Sequence, residues 1–202
     1  MVPDHLQPPV TMDRAGTVPT IRSARLSLRP WSPDDAEAAL GIYGVEDVAR
    51  WLSPAMERVP DVCAMRALLE DWVLEVSALE TPQGRWAVEL AETGDLVGGI
   101  ALLSLPPEGE DLEIAWQLAP GAWGRGLAAE AGHAVAHHAF DSGVEELFAV
   151  VRDRNTRGAA TAERVGMEWV GETDKYYGLR LQVYRLRKGD LDVPAEWEPA
   201  KS

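Results

Sequence analysis

An apolar, strand-like segment followed at once by a glycine-containing run is the feature that most constrains the fold of this chain. Leu112–Leu118 has the composition of a β-strand, and Trp123–Ala128 (WGRGLA) leads directly into a helical pattern. The first amides of a helix lack partners within the helix, and the helix dipole adds positive potential there. Glycine carries no Cβ that would keep a ligand away from such amides. This strand, glycine-containing run and helix start together predict a binding site for phosphate or diphosphate.

The patterns on either side of this unit predict a mixed α/β (α+β) fold with a mostly antiparallel central sheet flanked by helices. Strands are predicted at 25–29, 85–91, 96–105, 112–118, 147–151, 168–170 and 181–186, and helices at 32–43, 45–52, 61–79, from 127 onward and at 155–165. Ser32 followed by Pro33 and Asp35 is typical of a helix start. One side of the helix at 61–79 is expected to pack through Val62, Met65, Leu69, Trp72, Val73 and Val76.

Length and composition predict one domain at 21–188, with a flexible arm at 1–20 and a tail at 189–202. Cys63 is the single cysteine, so no internal disulfide is expected, which favours a cytoplasmic protein. The first residues lack the basic and apolar regions of a signal peptide. No apolar stretch reaches the length of a membrane span, so no membrane partner is expected.

The distribution of charge restricts the class of partner. The whole chain has a net charge of −14, and residues 34–118 alone carry 18 acidic and 4 basic side chains. Such a surface repels nucleic acid, and no basic stripe offsets it. Two interpretations of the acidic segment remain: it keeps the protein soluble, or it attracts a cationic substrate.

Two histidines stand one helical turn apart, at His133 and His137, on what the pattern predicts to be a polar face. No third ligand accompanies them at a useful spacing, so no metal site is expected. His138 falls on the predicted apolar face together with Leu127 and Ala131.

The ordered set of motifs resembles the GNAT superfamily of N-acetyltransferases, and within it the branch that includes RimJ and RimL. The resemblance spans about residues 20–188 and rests on Arg25–Trp31 (RLSLRPW), Glu113–Trp116 (EIAW), Trp123–Ala131 (WGRGLAAEA), Asn155 and Gly166–Met167. It implies a sheet whose strands splay apart at the coenzyme A site, and acetyl-CoA as the donor. A homodimer is compatible with this branch.

The resemblance also implies which residues bind acetyl-CoA. The diphosphate would be held in the glycine motif, by Trp123, Gly124, Arg125, Gly126, Leu127 and Ala128. Pantetheine would lie along Trp116, Gln117 and Leu118, where two strands separate. Asn155 would contact the pantetheine arm or assist at the thioester. No metal cofactor is implied.

Acetyl transfer to an amine requires a neutral amine and a proton for the leaving thiol. A lysine-like amine with a pKa near 10.4 costs about 4–5 kcal/mol to deprotonate at pH 7, so a general base is needed. Glu113 is the candidate base, and the alternatives are a solvated carboxylate or a partner of Arg85. By the resemblance, Gly158 stands where the branch often has Ser and Ala162 where other branches have a Tyr acid, which leaves Tyr176 and Tyr177 as candidate proton donors, Tyr177 being preferred. The alternative for the two tyrosines is a packed or substrate-lining aromatic pair.

The sequence thus predicts an acetyl-CoA-dependent N-acetyltransferase in which a primary amine attacks the thioester directly. The acceptor would be a protein N-terminus or a small cationic amine. The alternative is a non-catalytic acyl-CoA-binding or partner-binding module on the same fold, which the two missing proton donors keep open.

Overall fold

The computed structural model describes residues 18–191, except residues 53, 107, 108 and 110. The predicted arm and tail therefore lie largely outside the described residues. Val18 is buried, and the carbonyl of Pro19 accepts a hydrogen bond of 2.9 Å from the Trp86 indole. Residues 18 and 19, which the sequence placed in the arm, thus pack against the central sheet.

The described part of the chain contains one eight-stranded sheet. Its strands are β1 (Ile21–Arg22), β2 (Leu26–Pro30), β3 (Gly84–Leu90), β4 (Leu96–Ser104), β5 (Leu112–Leu118), β6 (Glu146–Arg152), β7 (Glu168–Thr173) and β8 (Leu181–Arg187). Their order across the sheet is β1-β2-β3-β4-β5-β6-β8-β7. All neighbours are antiparallel except β5 and β6, which are parallel. The predicted mixed, mostly antiparallel sheet is confirmed.

Helices cover both faces of the sheet. They are α1 (Ala36–Tyr43), α2 (Glu46–Ala49), α3 (Val62–Val76), α4 (Leu127–Asp141) and α5 (Thr156–Val165). Side chains of α4 and α5 join the larger apolar cluster with the inward residues of the strands, whereas α1, α2 and α3 form a second cluster on the other face. Because successive strand residues point to opposite faces, β5 directs Ile114 toward α4 and Glu113 toward the α1–α3 side.

The predicted helix start at Ser32 is a complete capping box, but it begins a 3₁₀ turn at Pro33–Asp35, and α1 follows from Ala36. The Ser32 hydroxyl accepts from the Asp34 amide, and the Asp35 carboxylate accepts from the Ser32 amide at 2.9 Å. Arg29 of β2 binds the same carboxylate through two nitrogens, at 2.7 and 2.8 Å. Burial raises the pKa of Asp35, but the hydrogen bonds from Arg29 and Ser32 outweigh it, so this pKa lies below its ordinary value. The box anchors α1 to the sheet.

Two predictions of helix faces were wrong. The buried stripe of α3 consists of Met65, Leu69 and Trp72. Val73 is exposed, because it lies about 100° around the helix axis from Trp72. His133 is buried rather than on a polar face, because α5 covers that side of α4; its Nε2 lies 3.2 Å from the Arg164 carbonyl.

Candidate active site

Strands β5 and β6 touch at one point and then diverge. Their parallel pairing is limited to Glu113 opposite Phe148. On its other edge β5 pairs fully with β4, and the Ala119 amide donates to Val97 at 2.9 Å. In an antiparallel strand, every second residue bonds to the same neighbouring strand. Since Ala119 bonds to β4, the amides of Trp116 and Leu118 point to the opposite edge of β5, into the gap between β5 and β6.

The run Trp123–Ala128, called here the glycine loop, connects this gap to the start of α4. Gly124 and Gly126 have φ values of 75° and 76°, in the left-handed region that favours glycine. No side chain caps the first amides of α4. A Cβ on Gly124 would meet no atom within 4 Å, and one on Gly126 would meet only the Arg25 guanidinium, at 3.7 Å. The loop fits an anion such as a diphosphate.

Trp123 joins the glycine loop to both sides of the gap. Its indole Nε1 donates to the Leu118 carbonyl at 2.9 Å. The guanidinium of Arg157, in the first turn of α5, lies 3.8 Å from the centre of a Trp123 ring, a close cation–π contact. Arg157 was not identified from the sequence, since nothing in its local pattern signals a contact with Trp123, which lies far away along the chain.

One cavity of about 1280 Å³ contains the gap and the glycine loop. Of the residues predicted to bind acetyl-CoA, the cavity is lined by Trp116, Gln117, Leu118, Trp123, Gly124, Gly126, Leu127, Ala128 and Asn155. Arg125 lies in the loop but does not line the cavity, and its carbonyl accepts from Arg25 at 3.0 Å. Glu113 and Tyr177 line the same cavity.

Glu113 lies where β5 and β6 begin to separate, on the α1–α3 side of the sheet. Its carboxylate accepts a hydrogen bond of 2.8 Å from the Tyr177 hydroxyl and another from the Val150 amide. Burial raises the pKa of Glu113 to about 7, although these two hydrogen bonds lower it. Arg85 binds Glu75 instead, at 2.7 Å. Glu113 is therefore neither a solvated carboxylate nor the partner of Arg85.

The two candidate tyrosines are adjacent in sequence but differ in environment. Tyr177 has a φ of 56°, which is unusual for a residue with a bulky side chain. Burial, followed by the charge and hydrogen bond of Glu113, raises the pKa of Tyr177 well above its ordinary value. Tyr176 packs with Leu105 and Leu181, and its hydroxyl donates to Asp111 at 3.2 Å. Of the two, only Tyr177 reaches the cavity.

Asn155 caps α5. Its Oδ1 accepts from the Gly158 amide at 3.1 Å. A Cβ on Gly158 would lie 2.8 Å from Asn155 Nδ2 and 3.1 Å from a Val151 methyl group. The glycine at 158 therefore has a steric reason: it leaves room for the Asn155 side chain to fold back over the helix start, at the edge of the cavity.

Aromatic side chains form the cavity wall on the α1–α3 side. The rings of Tyr43 and Trp72 are 5.2 Å apart, and those of Trp31 and Trp72 are 5.8 Å apart. The Tyr43 hydroxyl is 3.4 Å from Gln117 Oε1, to which it donates. Gly99 is required beneath them, since a Cβ there would lie 2.3 Å from the Tyr43 hydroxyl oxygen.

The described residues form neither a cluster of metal ligands nor a membrane-spanning helix. Over residues 18–191, apart from the four excluded positions, no group of three or more His, Cys, Asp or Glu side chains is arranged to hold a metal ion. In the same part of the chain no helix has the length and apolar character that crossing a membrane requires.

Comparison with known proteins identifies the family. A family model described as the acetyltransferase (GNAT) domain matches residues 25–168. The uncharacterized N-acetyltransferase YoaA of Bacillus subtilis (strain 168) is 25% identical over 160 residues, which cover 78% of this chain and 88% of YoaA. The chain therefore belongs to the GNAT family and is an N-acetyltransferase. The resemblance noted in the sequence is confirmed at the level of the family, whose acyl donor is acetyl-CoA.

Solved structures agree on the fold. An acetyltransferase from Agrobacterium tumefaciens str. C58 matches with a TM-score of 0.70 and 26% identity, covering 85% of this chain and 96% of that protein. Mycobacterium smegmatis RimJ, solved in complex with CoA-disulfide, matches with a TM-score of 0.70 and 19% identity, covering 89% of this chain and 90% of RimJ.

We expect Gly126→Val to weaken binding of coenzyme A at least about tenfold, because the branched side chain strains a left-handed position and enters the path of the diphosphate. Gly94→Val is the matched control: Gly94 also has a φ of 76° but lies in the β3–β4 turn. Both variants should lose stability, and only Gly126→Val should lose affinity in isothermal titration calorimetry. Equal affinities for the two variants would remove Gly126 from the site.

Proposed function

We propose that the protein transfers the acetyl group of acetyl-CoA to a primary amine by direct attack, without an acetylated enzyme intermediate. One observation carries the proposal: the partly buried carboxylate of Glu113 lies at the strand gap, in the cavity that the uncapped amides of α4 also line. Such a transfer needs a base for the amine and a binding site for the anionic part of the donor, and one cavity holds a candidate for each. The fold shared with RimJ supports a RimJ/RimL-like protein.

The donor would occupy the gap and the glycine loop. Its diphosphate would accept hydrogen bonds from the amides of Gly124–Ala128, and Arg157 above Trp123 would add positive charge nearby. Its pantetheine amides would pair with the strand edge at Trp116–Leu118, as an added strand would. The thioester would then lie farther along this edge, toward Glu113, where the Trp116 amide would stabilise negative charge developing on its carbonyl oxygen.

The acceptor would enter from the α1–α3 side, and we propose a cationic amine, either a protein N-terminus or a small molecule. On this side of the cavity Asp47, Glu75 and Glu80 outnumber Arg85 and Arg152, whereas Arg157 and Arg164 line it on the α5 side. This polarity suits an anionic donor at one end and a cationic acceptor at the other. The acidic character of residues 34–118, which build that side, acts in the same direction.

The reaction would use Glu113 and Tyr177 together. Glu113, with its pKa of about 7, is ionised enough at neutral pH to take a proton from the ammonium group. The neutral nitrogen then forms a bond to the thioester carbon, and the bond from that carbon to sulfur breaks. Tyr177 gives its hydroxyl proton to the thiolate, and protonated Glu113 restores it across their 2.8 Å hydrogen bond. The ammonium group loses two protons in all: Glu113 takes the first and passes it through Tyr177 to the thiol, and the second leaves the nitrogen for water once the nitrogen is bonded to the carbonyl carbon.

The function is tested by measuring thiol release from acetyl-CoA against a panel of amines. We expect turnover, with cationic amines faster than anionic amines of similar pKa at low salt, and a smaller difference at high salt because salt screens the attraction. Tight binding of acetyl-CoA without turnover of any amine would favour the non-catalytic module. Faster turnover of anionic amines would contradict the proposed acceptor class.

We expect Glu113→Gln to lower kcat/KM at pH 7 by about a hundredfold or more, the usual contribution of a general base. In the wild type the rate should rise through about pH 7 as Glu113 deprotonates. The variant has no carboxyl group to ionise at this position, so its rate should not rise near pH 7. Its rate should recover above about pH 9, where amines lose their protons unaided. A pH–rate profile from pH 6 to 10 measures both limbs. A loss that does not depend on pH would make Glu113 a structural residue.

Tyr177→Phe should move the rising limb of kcat/KM to higher pH, because the lost hydrogen bond lowers the pKa of Glu113 in the wild type. The maximal rate should also fall, since the thiolate loses its proton donor. Tyr176→Phe is the matched control, as it removes a hydrogen bond to a different carboxylate, Asp111. Identical pH profiles for the wild type and Tyr177→Phe would contradict the proposed pairing.

A further inference from the structure

The turn between β1 and β2 is bonded to the helix that follows the glycine loop. Glu130, in the first turn of α4, accepts from the Ser23 hydroxyl at 2.7 Å, the Arg25 amide at 2.8 Å and Arg25 Nε at 2.6 Å. The Glu130 side chain is only 10% exposed, whereas that of Arg25 is 51% exposed. A carboxylate that accepts three hydrogen bonds is held in one orientation, and it fixes the turn against α4.

The same guanidinium also reaches the glycine loop itself. Arg25 Nη1 donates to the Arg125 carbonyl at 3.0 Å. Arg25 Nη2 lies 3.7 Å from the position that a Cβ on Gly126 would take. One side chain thus connects Glu130 on the helix to the Arg125 carbonyl of the loop and lies beside Gly126, which a lysine with its single charged nitrogen would not do.

We propose that Arg25 and Glu130 are positioning residues for the diphosphate of the donor, acting as a latch that holds the glycine loop in its anion-binding conformation. The inference rests on the proposed function. Gly124 and Gly126 leave the loop many alternative backbone conformations, and a ligand would bear the cost of ordering it. A latch that orders the loop beforehand lowers this cost. The described glycine loop has no side chain of its own capping α4 that would do the same.

The test compares Arg25→Gln, Glu130→Gln and the double variant with the wild type, at about 0.5 M salt, where screening limits the reach of added or removed charge to about 4 Å. Coenzyme A binding is measured by calorimetry, and kcat/KM is measured with acetyl-CoA and with S-acetylpantetheine, which lacks the diphosphate. Arg29→Gln is the matched control, because Arg29 forms comparable ion pairs with Asp35 and Glu89, away from the glycine loop.

We expect each single variant to weaken coenzyme A binding about threefold to tenfold and to raise KM for acetyl-CoA with little change in kcat. The double variant should lose no more than either single variant, because either substitution opens the same latch. The kcat/KM for S-acetylpantetheine should not change, which a general loss of stability would not produce. Arg25→Lys should restore affinity only in part, and Arg29→Gln should bind as the wild type does.

Any one of five results would overturn the latch. Four are normal coenzyme A binding by Glu130→Gln, multiplied losses in the double variant, equal losses with S-acetylpantetheine, and an equal loss in Arg29→Gln. The fifth is full affinity in Arg25→Lys, since charge alone would then suffice. The proposed function fails separately and at an earlier step. A wild-type protein that does not bind coenzyme A contradicts both proposals, whereas a wild type that binds while its variants are unaffected contradicts the latch alone.

Discussion

The site depends on one constraint: β5 and β6 are parallel neighbours that pair at a single position, Glu113 opposite Phe148. Fully paired strands would use up the amides of Trp116 and Leu118 and would leave no channel through the sheet. Because the strands diverge, the sheet keeps its continuity at one point and opens immediately beyond it. The glycine loop and the start of α4 follow directly from the end of β5, so an anion cradle lies at the mouth of that opening.

The divergence also separates two chemical environments. On the α4–α5 side, glycine-rich backbone and arginine side chains favour an anion, and Arg157 is held there by its contact with Trp123. On the α1–α3 side, buried aromatic rings and acidic side chains line the cavity, which suits the cationic acceptor proposed above. Glu113 lies between the two sides because strand alternation directs its side chain away from α4 while its backbone stays at the gap. In the proposed reaction, the position of the gap would decide where Glu113 meets the thioester.

The two replaced proton donors have different structural explanations. At 158, glycine makes room for Asn155 to cap α5, since a Cβ there would lie 2.8 Å from the Asn155 amide nitrogen. At 162, alanine is fully buried within the core between α5 and the sheet. In the proposed mechanism the proton for the thiol comes from another element, the β7–β8 connection, in which Tyr177 has an unusual positive φ and donates a hydrogen bond to Glu113. Such local strain is commonly found at functional sites.

Local sequence determined the elements: alternation and helical periodicity predict the strands and helices, Ser32 and Asp35 predict the start of α1, and the glycines predict an uncapped helix start after β5. Those features depend on neighbours within about four residues, so composition and spacing are enough. Only the tertiary structure decided which distant groups meet. Glu113 and Tyr177 are 64 residues apart and Arg25 and Glu130 are 105 apart, and no local pattern encodes either pair. The pKa of Glu113 likewise follows from burial, which arises only when the sheet and the β7–β8 connection pack together.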